Sequence, residues 1–236
     1  MKPRPASRRP AVDAPPARAP LRSPKQARSE SSTGAVLDAA ARLIAEHGID
    51  ATSVAAVAHA AGSSVGAIYF RFGDKERLVA AVLERVIGGI VAEIDLLFAD
   101  SRAAGDDARA LLARYVTLAV TVFRRQRGLM RALFAQSLTR PEAFDPWRRL
   151  GVASRTRVVE VLRARGDMAL DEEAELRVLA GLQMAYGTLL NAVMARTWPL
   201  DLDDPRLEAE LTHMLLRYAN LPEARAAPAR RTRRSA

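Results

Sequence analysis

Residues 53–78 read SVAAVAHAAGSSVGAIYFRFGDKERL, and two short helices joined by a glycine turn are written into them. Ser53 stands where a hydroxyl accepts from an otherwise unpaired amide of a first helical turn. Val54, Val57, Ala58 and Ala61 then recur at helical spacing until Gly62 stops the run. Ser63 and Ser64 offer the next cap, a second short helix carries Val65 through Phe70, and Gly73 closes it. Asp74 caps a much longer helix, whose apolar stripe Leu78, Val79, Val82, Leu83, Val86, Ile87, Ile90, Ile94 and Leu97 runs to about residue 99. Small residues at positions 55, 56, 58, 60 and 61 let the short helices approach closely, while Val57, Ile68 and Phe72 are suited to pack underneath. Steeply crossed short helices with a tight Gly-containing turn are the requirement of a helix-turn-helix, which assigns residues 53–72 to that motif.

Upstream, Val36, Leu37, Ala40, Leu43 and Ile44 share one helical face from about residue 32, and Gly48 is placed to end that helix in a left-handed cap. Downstream, breaks at Gly105, near Gly128, at Thr139–Pro141, at Gly166–Asp167 and at Trp198–Pro205 separate helices expected at 107–126, 129–138, 142–165, 171–196 and 205–219. No strand pattern of two-residue period occurs. The expected fold is all-α with about nine helices: an N-terminal three-helix domain holding the helix-turn-helix, then a larger helical domain. The boundaries expected are 1–29 for a disordered basic arm rich in Pro and Arg, 30–90 for the first domain, 91–221 for the second and 222–236 for a basic tail.

The net charge of +9 lies in the tails: residues 1–28 carry +7 and residues 223–236 carry +4, which leaves the body at −2. Residues 29–78 are themselves slightly acidic, with Arg42, Arg71, Lys75 and Arg77 against six carboxylates. A nucleic-acid reading therefore rests on motif geometry, with Lys25 and Arg28 of the arm expected along phosphates or in a minor groove. The Arg-rich end of the tail is read as solvated.

The chain has no cysteine, and His47, His59 and His213 are scattered without ligand spacing, so neither a metal site nor a cofactor is expected. No nucleophile elbow, phosphate loop or paired-His motif points to an enzyme. No apolar run is long enough to span a bilayer, and the Pro- and Arg-rich start lacks the apolar stretch of a secretory signal. A cytoplasmic protein without a membrane partner is expected.

In Gly48, Thr52–Ser53, Val57–Ala58, Ala61–Gly62, Gly66–Tyr69, Phe72 and Asp74–Leu78, at their spacing, the chain resembles the TetR family of repressors over roughly residues 30–90. That resemblance implies a DNA-binding transcriptional regulator. Ser53 and Tyr69 would bond phosphates, Lys75 would pair with another, and Ser63, Ser64, Val65, Gly66 and Ala67 would face base edges. Two positions depart from the family pattern: Val65 stands where Lys or another polar residue is frequent, and Thr33 where Arg is common. Val65 and Ala67 suit thymine methyls, which fits an A/T-containing half-site.

The resemblance also implies a homodimer on a pseudo-palindromic double-stranded operator, with a ligand sensor in the second domain. Phe123, Phe134, Trp147 and Met184 are the candidates to line a pocket for a hydrophobic small-molecule inducer, with Gln126, Gln136, Arg155 and Gln183 as polar partners. Leu207, Leu211, Met214, Leu215 and Tyr218 recur at helical spacing after Pro205 and are the candidate dimer face, helped by Ala180, Gly181, Ala185 and Gly187 of the preceding helix. The alternative reading is a degenerate relative acting as a nonspecific DNA-binding or protein-interaction module.

Overall fold

The computed structural model describes residues 24–166, 170–195 and 199–221, with side chains from residue 32 onward. Eight α-helices follow one another: α1 Pro24–His47, α2 Val54–Ala60, α3 Val65–Phe72, α4 Lys75–Ala104, α5 Ala108–Ser137, α6 Asp145–Arg165, α7 Glu172–Met194 and α8 Leu207–Tyr218. A short 3-10 turn, Pro141–Phe144, leads into α6. No strand occurs among the described residues.

Two apolar cores organise the chain. The smaller one joins α1, α2, α3 and α4 through Val36, Ala40, Val57, Ile68 and Val82, with Phe72 partly buried against it. Each fully buried aliphatic side chain of this size contributes roughly 1.5–3 kcal/mol, which is how two helices of 7 and 8 residues, too short to persist alone, are held. The larger core takes in α4 to α8, but it also includes Ile44 from the end of α1 and Ile49 from the turn after it. α4 contributes to both, with Leu78 and Val82 in the smaller and Leu83, Ile90, Ile94 and Phe98 in the larger. A paired contact from Arg85 Nε and Nη2 to the Asp38 carboxylate, at 3.0 and 3.2 Å, ties α4 to α1.

Two expectations are corrected here. α1 begins at Pro24, so Lys25 and Arg28 belong to a helix rather than to an arm, and Pro at a first helical position leaves no hydrogen bond unmade. Residues 1–23, Trp198 and the tail from residue 222 lie outside the described residues. The helices expected at 107–126 and 129–138 are one continuous α5, because Gly128 serves a close approach instead of a break. A Cβ at Gly128 would stand 2.5 Å from the Ala45 carbonyl oxygen and 2.8 Å from the Ala45 Cβ. The missing side chain is what lets α1 lie against α5.

Candidate nucleic-acid interface

Each short helix of the motif starts on a serine. Ser53 Oγ accepts from the Ala56 amide at 3.1 Å and Ser64 Oγ from the Ala67 amide at 3.1 Å. In each the hydroxyl proton remains to be donated outward. Between them Gly62 takes φ 61°, a left-handed turn that glycine adopts without steric cost, and the Ser63 amide donates to the Ala58 carbonyl at 2.9 Å. Below the turn the buried Thr52 Oγ1 donates to the Gly48 carbonyl at 2.7 Å, fixing the loop that enters α2.

α3 gives Ile68 wholly and Phe72 partly to the core and presents the other residues from Val65 to Arg71. Ser64, Val65, Gly66, Ala67, Tyr69, Phe70 and Arg71 are all exposed and Ser63 is half-buried. Tyr69 is 48% and Phe70 95% exposed, and a Cβ at Gly66 would meet nothing within 4 Å. Phe70 was missed by motif reasoning, although it lies two residues, about 200° around a helix, from the inward Ile68. A fully exposed phenylalanine on a helix of this size is an unspent apolar contact.

Lys75 stands apart from this face. Its Nζ donates to the Asp50 carbonyl at 3.0 Å, along a groove of about 350 Å³ that separates the start of α4 from the end of α5. Asp50, Glu76, Gln136 and Arg140 line the same groove, and Arg140 approaches Glu76 at 3.9 Å. The ammonium has three donors, so two remain for a phosphate beside that carbonyl.

Residues 36–82 match the family model described as bacterial regulatory proteins, tetR family. An uncharacterized HTH-type transcriptional regulator of Mycobacterium tuberculosis is 28% identical over 194 residues, covering 78% of this chain and 93% of that one. The HTH-type transcriptional repressor KstR2 of Rhodococcus jostii is 37% identical over 82 residues, 35% of this chain and 38% of that protein. The same fold recurs in a TetR transcription regulator from Haloarcula marismortui, with TM-score 0.59, 21% identity and 81% and 97% of the two chains covered. It recurs too in the fatty acid degradation regulator FadR from Bacillus halodurans, with TM-score 0.57, 22% identity and 84% and 97% covered.

Over residues 36–82 the chain carries the region that the tetR-family model describes, and over most of its length it is similar to HTH-type transcriptional regulators. It is a DNA-binding transcription regulator, and its relatives are regulators rather than enzymes. Among the described residues, no helix is long and apolar enough to cross a membrane.

In the second domain of the regulator, Phe123 and Trp147 meet edge to face at 6.4 Å, and Phe123 and Tyr186 at 5.1 Å. They border a chamber of about 50 Å³ with Ile90 and Ile94 of α4. The other two pocket candidates lie elsewhere: Phe134 packs on Phe144 at 6.1 Å, and Met184 is 42% exposed on α7. Of the polar candidates, Arg155 borders an adjoining compartment, Gln136 the groove beside Lys75, and Gln126 a surface groove by α1 and α4, while Gln183 is exposed on α7.

The expected dimer face divides. Leu207, Leu211 and Leu215 are buried in the protomer's own core, where α8 lies so close to α7 that a Cβ at Gly181 would fall 2.6 Å from Leu215 Cδ1. Met214 is half-buried and Tyr218 exposed. On α7, Gly181 and Ala185 are likewise used inward, whereas Gly187 has open space and Met184 faces out.

Proposed function

We propose that the protein is a homodimeric repressor that binds a pseudo-palindromic operator and leaves it when a small hydrophobic molecule occupies the second domain. The observation that carries this reading is the α3 face, where one residue is given to the core and the other side chains from Ser64 to Arg71 are turned outward or only partly covered. In the proposed complex Val65, Gly66 and Ala67 lie against base edges in the major groove with Ser63 and Ser64 at their entrance, and Ser53 and Tyr69 bond phosphates. Phe70 joins them as an apolar contact, and Lys75 turns a remaining donor to a phosphate. Such a reader acts in the cytoplasm, as no enzyme.

Two-fold pairing through the outer side of α7 and α8, with Leu176, Met184 and Tyr218 as its exposed apolar residues, sets two α3 helices into successive major grooves about 34–36 Å apart. Release follows from α4, which supplies buried side chains to both cores. A ligand beside Ile90 and Ile94 favours one position of α4 over another, and that differential affinity is the coupling.

Selection from a random oligonucleotide pool at two salt concentrations tests the reading. Enrichment of a single palindrome with two half-sites is expected, together with its loss in Tyr69→Ala. Binding that enriches no sequence and vanishes as salt rises would assign the attraction to the charged tails and favour a nonspecific module.

A further inference from the structure

The second domain contains a cation with no counter-charge. On α6, Arg148, Arg157 and Arg163 pair with Asp145, Glu160 and Glu175. Arg155 is half-buried and, among the described residues, makes no hydrogen bond or ion pair. Its guanidinium carbon stands 5.4 Å from the centroid of the Tyr186 ring. That ring is shared by the apolar chamber and by a second compartment of about 30 Å³ that Arg155 borders. Neither compartment is lined by a carboxylate.

The hydroxyls nearby sort themselves into used and unused. Tyr115 Oη donates to Ser154 Oγ at 2.9 Å, and Ser154 Oγ donates to the Gly151 carbonyl at 3.2 Å, so both protons are committed. Tyr186 Oη is buried and makes no hydrogen bond of normal geometry. Burial pushes that phenol up to about 12 against the opposing pull of Arg155 and the Trp147 indole, so it remains a donor at neutral pH. Gly151 marks the point of convergence: a Cβ there would lie 3.3 Å from Arg155 Nη1 and 3.3 Å from Tyr186 Cε2. Two donors without an acceptor thus meet at the polar edge of an apolar chamber.

We infer that the ligand of this chamber is an amphipathic carboxylic acid, its carboxylate held by Arg155 and Tyr186 and its apolar body among Ile94, Phe123, Trp147 and Leu150. The assignment rests on the ligand-released reading above and specifies its effector. A neutral apolar molecule would leave the charge of Arg155 unmatched, and a cation would be repelled by it. Size supplies the link to release. A cavity of about 150 Å³ is the scale that accepts benzene, and this chamber encloses about 50 Å³. Even a ring-sized body therefore moves Ile90 and Ile94 outward, and α4 with them.

Calorimetric titration of the full-length protein with phenylacetate and phenylacetamide, and with octanoate and octanamide, tests the assignment. At least one acid is expected to bind about tenfold tighter than its amide, equivalent to about 1.4 kcal/mol. Arg155→Gln should abolish that preference without lowering the melting temperature, and Tyr186→Phe should reduce it. The proposal is overturned if the amides bind as well as the acids, if Arg155→Gln keeps the preference, or if neither acid binds at millimolar concentration. Operator binding measured alongside separates the two claims: an acid that binds through Arg155 but leaves the DNA complex intact supports the anion site and contradicts ligand release.

Discussion

Gly128 and Gly66 both sit inside helices, neither in the left-handed region, and they meet opposite surroundings. At Gly128 in α5 an added Cβ would collide with the backbone of Ala45, whereas at Gly66 in α3 it would touch nothing within 4 Å. A glycine inside a helix costs roughly 0.5–1 kcal/mol relative to alanine. At Gly128 the offset is internal, since it lets α1 settle on α5 and joins the DNA-binding domain to the larger one. At Gly66 none of the described residues supplies an offset, and the reason we propose for it is the close approach of the operator backbone. One helix is shaped by its own molecule, the other by what it is proposed to bind.

The largest effect that separates the two sites is expected at Gly128. Gly128→Ala should lower the unfolding free energy in urea by about 2–3 kcal/mol, because the obstacle is a carbonyl oxygen that cannot turn aside as a flexible side chain does. A variant as stable as the parent would remove the close-approach explanation. On the other side of the comparison, Phe70→Ala should leave stability unchanged, since so exposed a ring buries little, while operator affinity falls about tenfold. Equal affinity of parent and variant in a fluorescence titration would take Phe70 out of the interface.

A smaller effect belongs to neither face. Asp204 is held down to about 2, chiefly by the hydrogen bond from the Arg206 side chain and next by the Arg206 amide. Its folded-state value lies below the ordinary one, so its contribution is present above pH 4 or so and is lost as pH falls towards about 2. Asp204→Asn should lower the melting temperature by about a degree near neutrality, and the difference from the parent should disappear as pH falls from about 4 towards about 2. A parallel shift at all pH values would mean that Asp204 acts through packing instead.

The helix-turn-helix was legible because its signals are local. Ser53 and Ser64 cap what they were expected to cap, and Gly48 and Gly62 take left-handed angles. The rest was obscured where one residue type serves two physical ends. Gly128 looks the same in sequence whether it breaks a helix or admits a neighbour. The stripe Leu207, Leu211 and Leu215 declares an apolar face without saying what covers it, and the cover is α7 and the protomer's own core. Phe123 and Trp147 reach the chamber and Phe134 and Met184 do not, a division set by how α5, α6 and α7 rotate against one another. Arg155 was named only among several polar candidates, since a missing counter-charge is a fact of three dimensions. The start of α1 at Pro24 went unseen because residues 24–31 carry no apolar periodicity.

The central claim is that the open face of α3 is where DNA fits, and Gly66→Leu tests it most directly. The site has room for the side chain and leucine is the better helix former, so the melting temperature should stay the same or rise. Affinity for the selected operator should nevertheless fall by about two orders of magnitude, close to 3 kcal/mol, as the new side chain blocks the approach of the duplex. A Gly66→Leu protein that keeps both its fold and its operator affinity would contradict the account.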